Sequence, residues 1–220
     1  QDRLDGVPSS YIVAGESRWK RPSRMVVDSA VLLKTPATGA DYVVITHEDF
    51  APAAERLADW RGRDDRFGEP LLPMVVDIRD IYDEFSGGLL DPTAIRNFLL
   101  YAANNWSVQP IFVNLFGDGS YDYKNNSGTS QGNWIPPYQD GDSTYDEWYV
   151  RLAGDDLFPD MAIGRITVQT AEEADNVVDK LLTYDMQPET GPWQSRALMV
   201  SDDITNPSKR EVSETFFLVD

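Results

Sequence analysis

Apolar positions along the chain follow two rhythms, which change over at about residue 40. Before that point, Tyr11-Ile12-Val13-Ala14 and Val31-Leu32-Leu33 are short apolar runs separated by Pro8, Pro22 and Pro36. That pattern is irregular and β-like, so residues 1–39 read as a leader or the tail of a preceding β domain. From Asp41 the chain alternates strand runs with stretches of helical period. Tyr42-Val43-Val44-Ile45-Thr46 is a continuous β-branched run, as expected of a strand covered on both faces, and residues 51–61 follow with helical character. Met74-Val75-Val76-Asp77-Ile78 is a second strand. After Gly87-Gly88, Asp91-Pro92 supplies an N-cap with proline at the first helical position, and Ile95, Phe98, Leu99 and Ala102 recur on one helical face.

A third buried strand, residues 111–116, ends at Gly117-Asp118-Gly119-Ser120. A polar stretch over 121–146 comes next, and a loop that long inside an α/β domain is usually functional or mobile. Residues 147–152 and 161–166 are read as strands. Thr170-Ala171-Glu172-Glu173 is a capping box opening a helix with apolar Ala174, Val177, Val178, Leu181 and Leu182. Ala197-Leu198-Met199-Val200 is a further strand, and Asn206-Pro207 starts a last amphipathic segment. The βα alternation predicts an α/β fold, a doubly wound, mainly parallel sheet with right-handed crossovers and flanking helices, over residues 40–200.

Charge narrows the chemistry. The 220 residues carry 37 Asp and Glu against 19 Lys and Arg, a formal net charge of −18. Such a surface repels phosphate backbones and anionic lipids, which disfavours nucleic acid and membrane surfaces as partners, and it suits cations such as calcium. No apolar run approaches the ~20 residues of a membrane-spanning helix. The opening residues show no basic region followed by an apolar core, so no signal peptide is read there. There is no cysteine and one histidine, so these residues hold no thiol nucleophile and no disulfide.

The most informative constellation is acidic. In Gly154-Asp155-Asp156-Leu157-Phe158-Pro159-Asp160, positions 156, 158 and 160 share one face of an extended backbone. Asp118 comes after the strand 111–116, where open α/β sheets place their sites. If those ends adjoin, Asp118, Asp156, Asp160 and the Phe158 carbonyl form a calcium cage; otherwise these aspartates cap turns and solvate loops. Gly117 to Ser120 lacks the spacing of a phosphate-binding fingerprint and reads as a tight strand exit. His47 has no serine partner in a nucleophile elbow and reads as a structural or surface histidine. Asp202-Asp203, at the end of a late strand, either orients an imidazole arriving from elsewhere or caps the helix near Asn206.

Several segments together resemble the gingipain family of cysteine peptidases, family C25 of clan CD. They are residues 41–47, Ile81-Tyr82-Asp83-Glu84-Phe85-Ser86-Gly87-Gly88 with residues 91–96, Leu115-Phe116-Gly117-Asp118-Gly119-Ser120-Tyr121-Asp122-Tyr123, Ile135-Pro136-Pro137-Tyr138 and Ala162-Ile163-Gly164-Arg165, followed by Lys180-Leu181-Leu182-Thr183-Tyr184 and Trp193. The wording is nearest to the PorU-like members, the C-terminal signal peptidases of type IX secretion. The resemblance implies a caspase-like α/β fold of two subdomains side by side, with this chain similar to the first and residues 201–220 the start of the second. It implies a secreted or surface endopeptidase acting on protein or peptide, with the cysteine and histidine supplied by the remaining half and one of Asp202 and Asp203 orienting the histidine. It also assigns a structural calcium to Asp118, Asp156, the Phe158 carbonyl and Asp160.

Two other readings stand beside the peptidase part: a non-catalytic calcium-binding α/β interaction module, and a cytosolic doubly wound domain of unrelated function. The peptidase reading is staked on Asp118, Asp156 and Asp160 meeting at one sheet edge.

Overall fold

The computed structural model describes residues 15, 33–35, 39–66, 68–128, 132–154 and 156–197. The chain divides into two units, Gln1–Leu32 and Leu33–Asp220. The strands expected before residue 33 and at residues 198–200 lie outside the described residues, as do Asp202, Asp203 and the segment from Asn206. The α/β fold belongs to the second unit.

Its centre is a four-stranded sheet of residues 73–77, 42–46, 112–116 and 162–166 in that spatial order, with every pairing parallel. The strands are β1 (Tyr42–Thr46), β2 (Pro73–Asp77), β3 (Phe112–Phe116) and β6 (Ala162–Ile166). The pair β4 (Gln139–Asp140) and β5 (Ser143–Thr144) is a small antiparallel hairpin inside the long polar stretch. β1 lies between β2 and β3, and all five of its residues are buried. Its unbroken β-branched run suits that place, because neither face meets water.

Side-chain alternation distributes the core over two faces. Val43 and Ile45 point to one face, where they join Val113 and Leu115 under α2 (Ile78–Ser86) and α3 (Thr93–Asn105). Tyr42 and Val44 point to the other, beneath α1 (Ala51–Arg61), with the first half of α4 (Ala171–Met186) closing on Phe116 and Val168. The expected helical faces appear: Ile95, Phe98, Leu99 and Ala102 of α3 are buried, and Asp91 caps it by accepting the Thr93 amide at 2.9 Å. Thr170 accepts from the Glu173 amide at 3.1 Å, while Glu173 reaches back to the Gln169 amide at 2.7 Å.

Two expectations are corrected by the structure. Ile78, expected to end a strand, instead begins α2, because Asp77 accepts the Arg79 amide at 2.8 Å and caps a helix with no intervening loop. Gly87, at φ 64°, ends that helix in the left-handed conformation that costs glycine least. Residues 147–152 are not a strand. Asp146–Val150 is a 3-10 helix that drives two consecutive side chains, Tyr149 and Val150, into one core, and an extended strand would send one of them outward.

The second helical layer is fastened by charge. Arg56 of α1 pairs with Asp175 at 2.8 Å and with Asp179. Asp185, in the last turn of α4, accepts from Arg61 at 2.8 Å and from Trp60 Nε1 at 3.1 Å. Arg66 pairs with Asp64 at 2.7 Å, and these bonds hold the Asp64 carboxyl down at about 2.

Candidate functional site

All four strands point the same way, so the segments leaving β1, β2, β3 and β6 gather at one sheet edge. After β3, the backbone amide of Asp118 bonds to Val168 O at 3.0 Å, and the Asp118 carbonyl accepts from Trp134 and Ile135 at 3.0 and 3.1 Å. The tight exit expected for Gly117 to Ser120 is there. A Cβ on Gly119 would stand 2.4 Å from the Ile135 carbonyl oxygen, so no larger residue fits against the returning loop.

Arg165 of β6 organises this edge. Its Nε and Nη2 grip Asp146 at 2.7 and 2.8 Å. Nη1 donates to the carbonyls of Gly117 and Ile135 at 2.9 and 2.8 Å. Four of the five guanidinium donors are therefore used, and one side chain joins the exit of β3, the loop near Ile135 and the start of the 3-10 helix. Tyr149 adds a buried tie, donating to the Pro136 carbonyl at 2.7 Å, and its burial pushes the phenol well above its ordinary value. Nearby, the rings of Tyr138 and Trp148 stack at 3.7 Å.

Between these loops lies an open cleft of about 440 Å³, lined by Asp118, Tyr121, Asp142, Thr144, Asp146 and Arg165. Arg165 neutralises Asp146. Asp118 accepts from Gln169 Nε2 at 2.7 Å and from the Gly119 amide at 2.8 Å. On the same edge, His47 comes after β1, its Nδ1 accepting the Asp49 amide at 3.2 Å and capping a short 3-10 turn, in keeping with a structural histidine. Arg79 bridges Asp77 and Glu48 at 2.8 and 2.7 Å. Burial raises the Asp77 carboxyl, but the bonds from Arg79 outweigh it and leave the group below its ordinary value.

The expected calcium cage does not assemble. Asp118 comes after β3 whereas Asp160 precedes β6, and Phe112 pairs in register with Ala162. The two aspartates therefore sit at opposite ends of parallel strands, ~16 Å apart or more at about 3.3 Å per residue. Asp156, Phe158 and Asp160 belong to the loop 151–160, whose ends meet where the Asp160 amide bonds to Val150 O at 2.8 Å. The Asp160 carboxylate accepts the Ala153 and Leu152 amides at 2.9 and 2.6 Å, which holds it below the usual carboxylate range. Asp156 accepts the Phe158 amide at 2.9 Å. Among the described residues no group of three acidic or histidine side chains is placed to hold a metal. Sequence reasoning also passed over Arg165 as a functional residue. The signal was an arginine inside an otherwise apolar strand, which needs a carboxylate partner.

The model of peptidase family C25 matches residues 35–217. No curated protein sequence matches significantly. Among solved structures, dimeric latent PorU from Porphyromonas gingivalis is 26% identical with a TM-score of 0.60, over 74% of this chain and 17% of that one. The complex of pro- and mature domains of RgpB from Porphyromonas gingivalis is 20% identical with a TM-score of 0.48, over 65% of this chain and 28% of that one. The Arg-specific cysteine proteinase gingipain R is 19% identical with a TM-score of 0.46, over 68% of this chain and 29% of that one. The chain thus spans less than a third of each of these proteins. Its parallel four-stranded sheet flanked by helices is the caspase-like α/β arrangement of the gingipain family.

Replacing Arg165 with Met removes four hydrogen bonds and leaves Asp146 unpaired. Truncating one partner of a buried pair costs about 3–5 kcal/mol, and Asp146, 27% exposed, recovers part of that in water. Urea unfolding of Arg165→Met is expected to show a loss of about 2–4 kcal/mol; a loss under about 0.5 kcal/mol contradicts the bracing role.

Proposed function

The chain belongs to peptidase family C25, and we propose that it is the amino-terminal part of a cysteine endopeptidase domain, supplying the scaffold and one wall of the substrate-facing edge. The observation that carries this reading is the family match over residues 35–217 of a chain with no cysteine. Acyl transfer needs a thiolate to attack the peptide carbonyl and an imidazole to take the thiol proton and return it to the leaving amine. In this reading both come from the remaining half of the domain. This chain contributes the loop after β3, held by Arg165, the loop after β6, tied to it through Asp118, and one of Asp202 and Asp203 to orient the imidazole. Substrates are protein or peptide, and the protein acts outside the cell or at its surface, as the gingipain resemblance implies. No helix among the described residues is long and apolar enough to cross a membrane.

The test is peptide cleavage by the natural polypeptide that carries these residues. Cleavage is expected to be abolished by thiol alkylation, and either Asp202→Asn or Asp203→Asn is expected to lower kcat by roughly 10²–10⁴-fold. No cleavage, or cleavage that survives alkylation, overturns the reading.

Calcium enters in a reduced form. We propose it for the loop 151–160 alone, where Asp156, the Phe158 carbonyl and Asp160 lie within five residues, supported by the two carboxylates each keeping an oxygen free of backbone bonds among the described residues. Bound at ~100 times its dissociation constant, calcium should add roughly 2.7 kcal/mol of stability. Thermal unfolding is expected to show that gain in the parent and in Asp118→Asn but not in Asp156→Ala. An unshifted parent, or a gain lost with Asp118, contradicts the assignment.

A further inference from the structure

The hairpin of β4 and β5 is built to a fixed shape. Gln139 pairs with Thr144 and Asp140 with Ser143, and below them the Tyr145 amide donates to the Tyr138 carbonyl at 3.0 Å. Gly141 opens the turn at φ 60°, the conformation that a two-residue connection with glycine first requires, and such a turn sets the register of both strands. A hairpin this short is marginal by itself. Its base is braced by the stack of Tyr138 on Trp148, and its first strand by Gln139 Nε2, which donates to the Tyr121 carbonyl.

Opposite residues in an antiparallel pair alternate between exchanging main-chain bonds and exchanging none. Tyr138 with Tyr145 is a bonded pair, so Gln139 with Thr144 is an unbonded one, and the amides and carbonyls of these two residues point away from the hairpin. No partner for the Thr144 amide or carbonyl occurs among the described residues, and both residues of β5 are exposed. β5 is therefore an open strand edge, a template for further pairing. It also borders the cleft of about 440 Å³ at the carboxyl edge, where Thr144, Asp142 and Asp146 line the wall together with Asp118 and Arg165.

We propose that the β5 edge is a strand-addition site for the peptide substrate: an extended peptide lies beside β5, accepts from the Thr144 amide, donates to the Thr144 carbonyl and sends alternate side chains into the cleft. This inference rests on the reading that the chain is part of a cysteine endopeptidase. In strand addition the main-chain bonds hold the peptide whatever its sequence, and pockets for alternate side chains select among sequences; the open edge and the adjoining cleft supply one of each. Charge favours a substrate over a second copy of this chain. Asp140 and Asp142 flank the turn in a chain of net charge −18, so two hairpins laid edge to edge set like charges against each other, a device that keeps natural strand edges from pairing with themselves. The bracing at Tyr138 and Gln139 means that the edge is formed before the peptide arrives, which lowers the ordering cost of binding.

The experiment is residue-resolved amide exchange on the natural full polypeptide with its nucleophilic cysteine replaced by alanine, without and with a saturating peptide of about a dozen residues that the parent cleaves. The Thr144 amide is expected to exchange roughly 10-fold or more slowly in the complex, while the Gln139 amide on the opposite edge keeps its rate. Kinetics give a second readout. Thr144→Pro removes the amide at a position that carries no ladder bond, and in the active polypeptide it is expected to raise KM roughly 10-fold with kcat within about twofold. An unchanged Thr144 rate in the peptide complex, or a parental KM in Thr144→Pro, overturns this inference and leaves the peptidase reading standing. A parent that cleaves no peptide overturns that reading, and this inference falls with it. Protection of Thr144 that grows with protein concentration in the absence of peptide assigns the edge to a second copy and also overturns it.

Discussion

Strand direction is the constraint on which the rest of this molecule depends. With β1, β2, β3 and β6 all parallel, the sheet has two chemically different edges, and a residue's position before or after its strand decides which edge it occupies. His47, Asp77 and Asp118 leave strands and share the carboxyl edge. Asp160 enters a strand and cannot join them. The burial of β1 on both faces also explains why it tolerates no polar residue until Thr46, which is buried and donates its hydroxyl to the Phe116 carbonyl at 3.0 Å.

Given that polarity, the carboxyl edge still has to be made rigid, because it consists of loops. The means is one part-buried cation with several acceptors rather than a network of surface pairs. Arg165 satisfies two carbonyls and a carboxylate from three separate segments, and Tyr149 fixes Pro136 from the core side. Exposed ion pairs such as Arg63 with Asp59, both more than two-thirds exposed, contribute little by comparison. A cleft with fixed walls on a parallel sheet is where α/β enzymes place their chemistry, and the chain belongs to peptidase family C25. The family assignment therefore rests on the match over residues 35–217 and not on a metal shared between the aspartates.

The elements with an uninterrupted period were legible in the sequence. β1 and α1 have the expected limits, and Thr170 and Asp91 cap the helices assigned to them. α2 was missed because it starts at the residue after β2 ends, so Ile78 continued an apolar run that already read as strand. Asp146–Val150 was misread because a short apolar stretch looks the same whether it lies flat in a sheet or wedges consecutive side chains into a core. The calcium cage failed on information the sequence did contain: the acidic loop precedes a strand and Asp118 comes after one, and in a parallel sheet those are opposite ends. Arg165 was legible as an arginine in an apolar strand and as part of a family signature, but its partners were not, since its acceptors are brought together by the fold.

Strand polarity can be measured directly because the chain has no cysteine of its own. Spin labels attached through Asp118→Cys and Asp160→Cys report the distance between the two edges by pulsed electron double resonance. A five-residue parallel strand between them requires a separation centred beyond ~16 Å. A distribution centred near ~10 Å or less would place both aspartates at one edge and contradict the sheet described here.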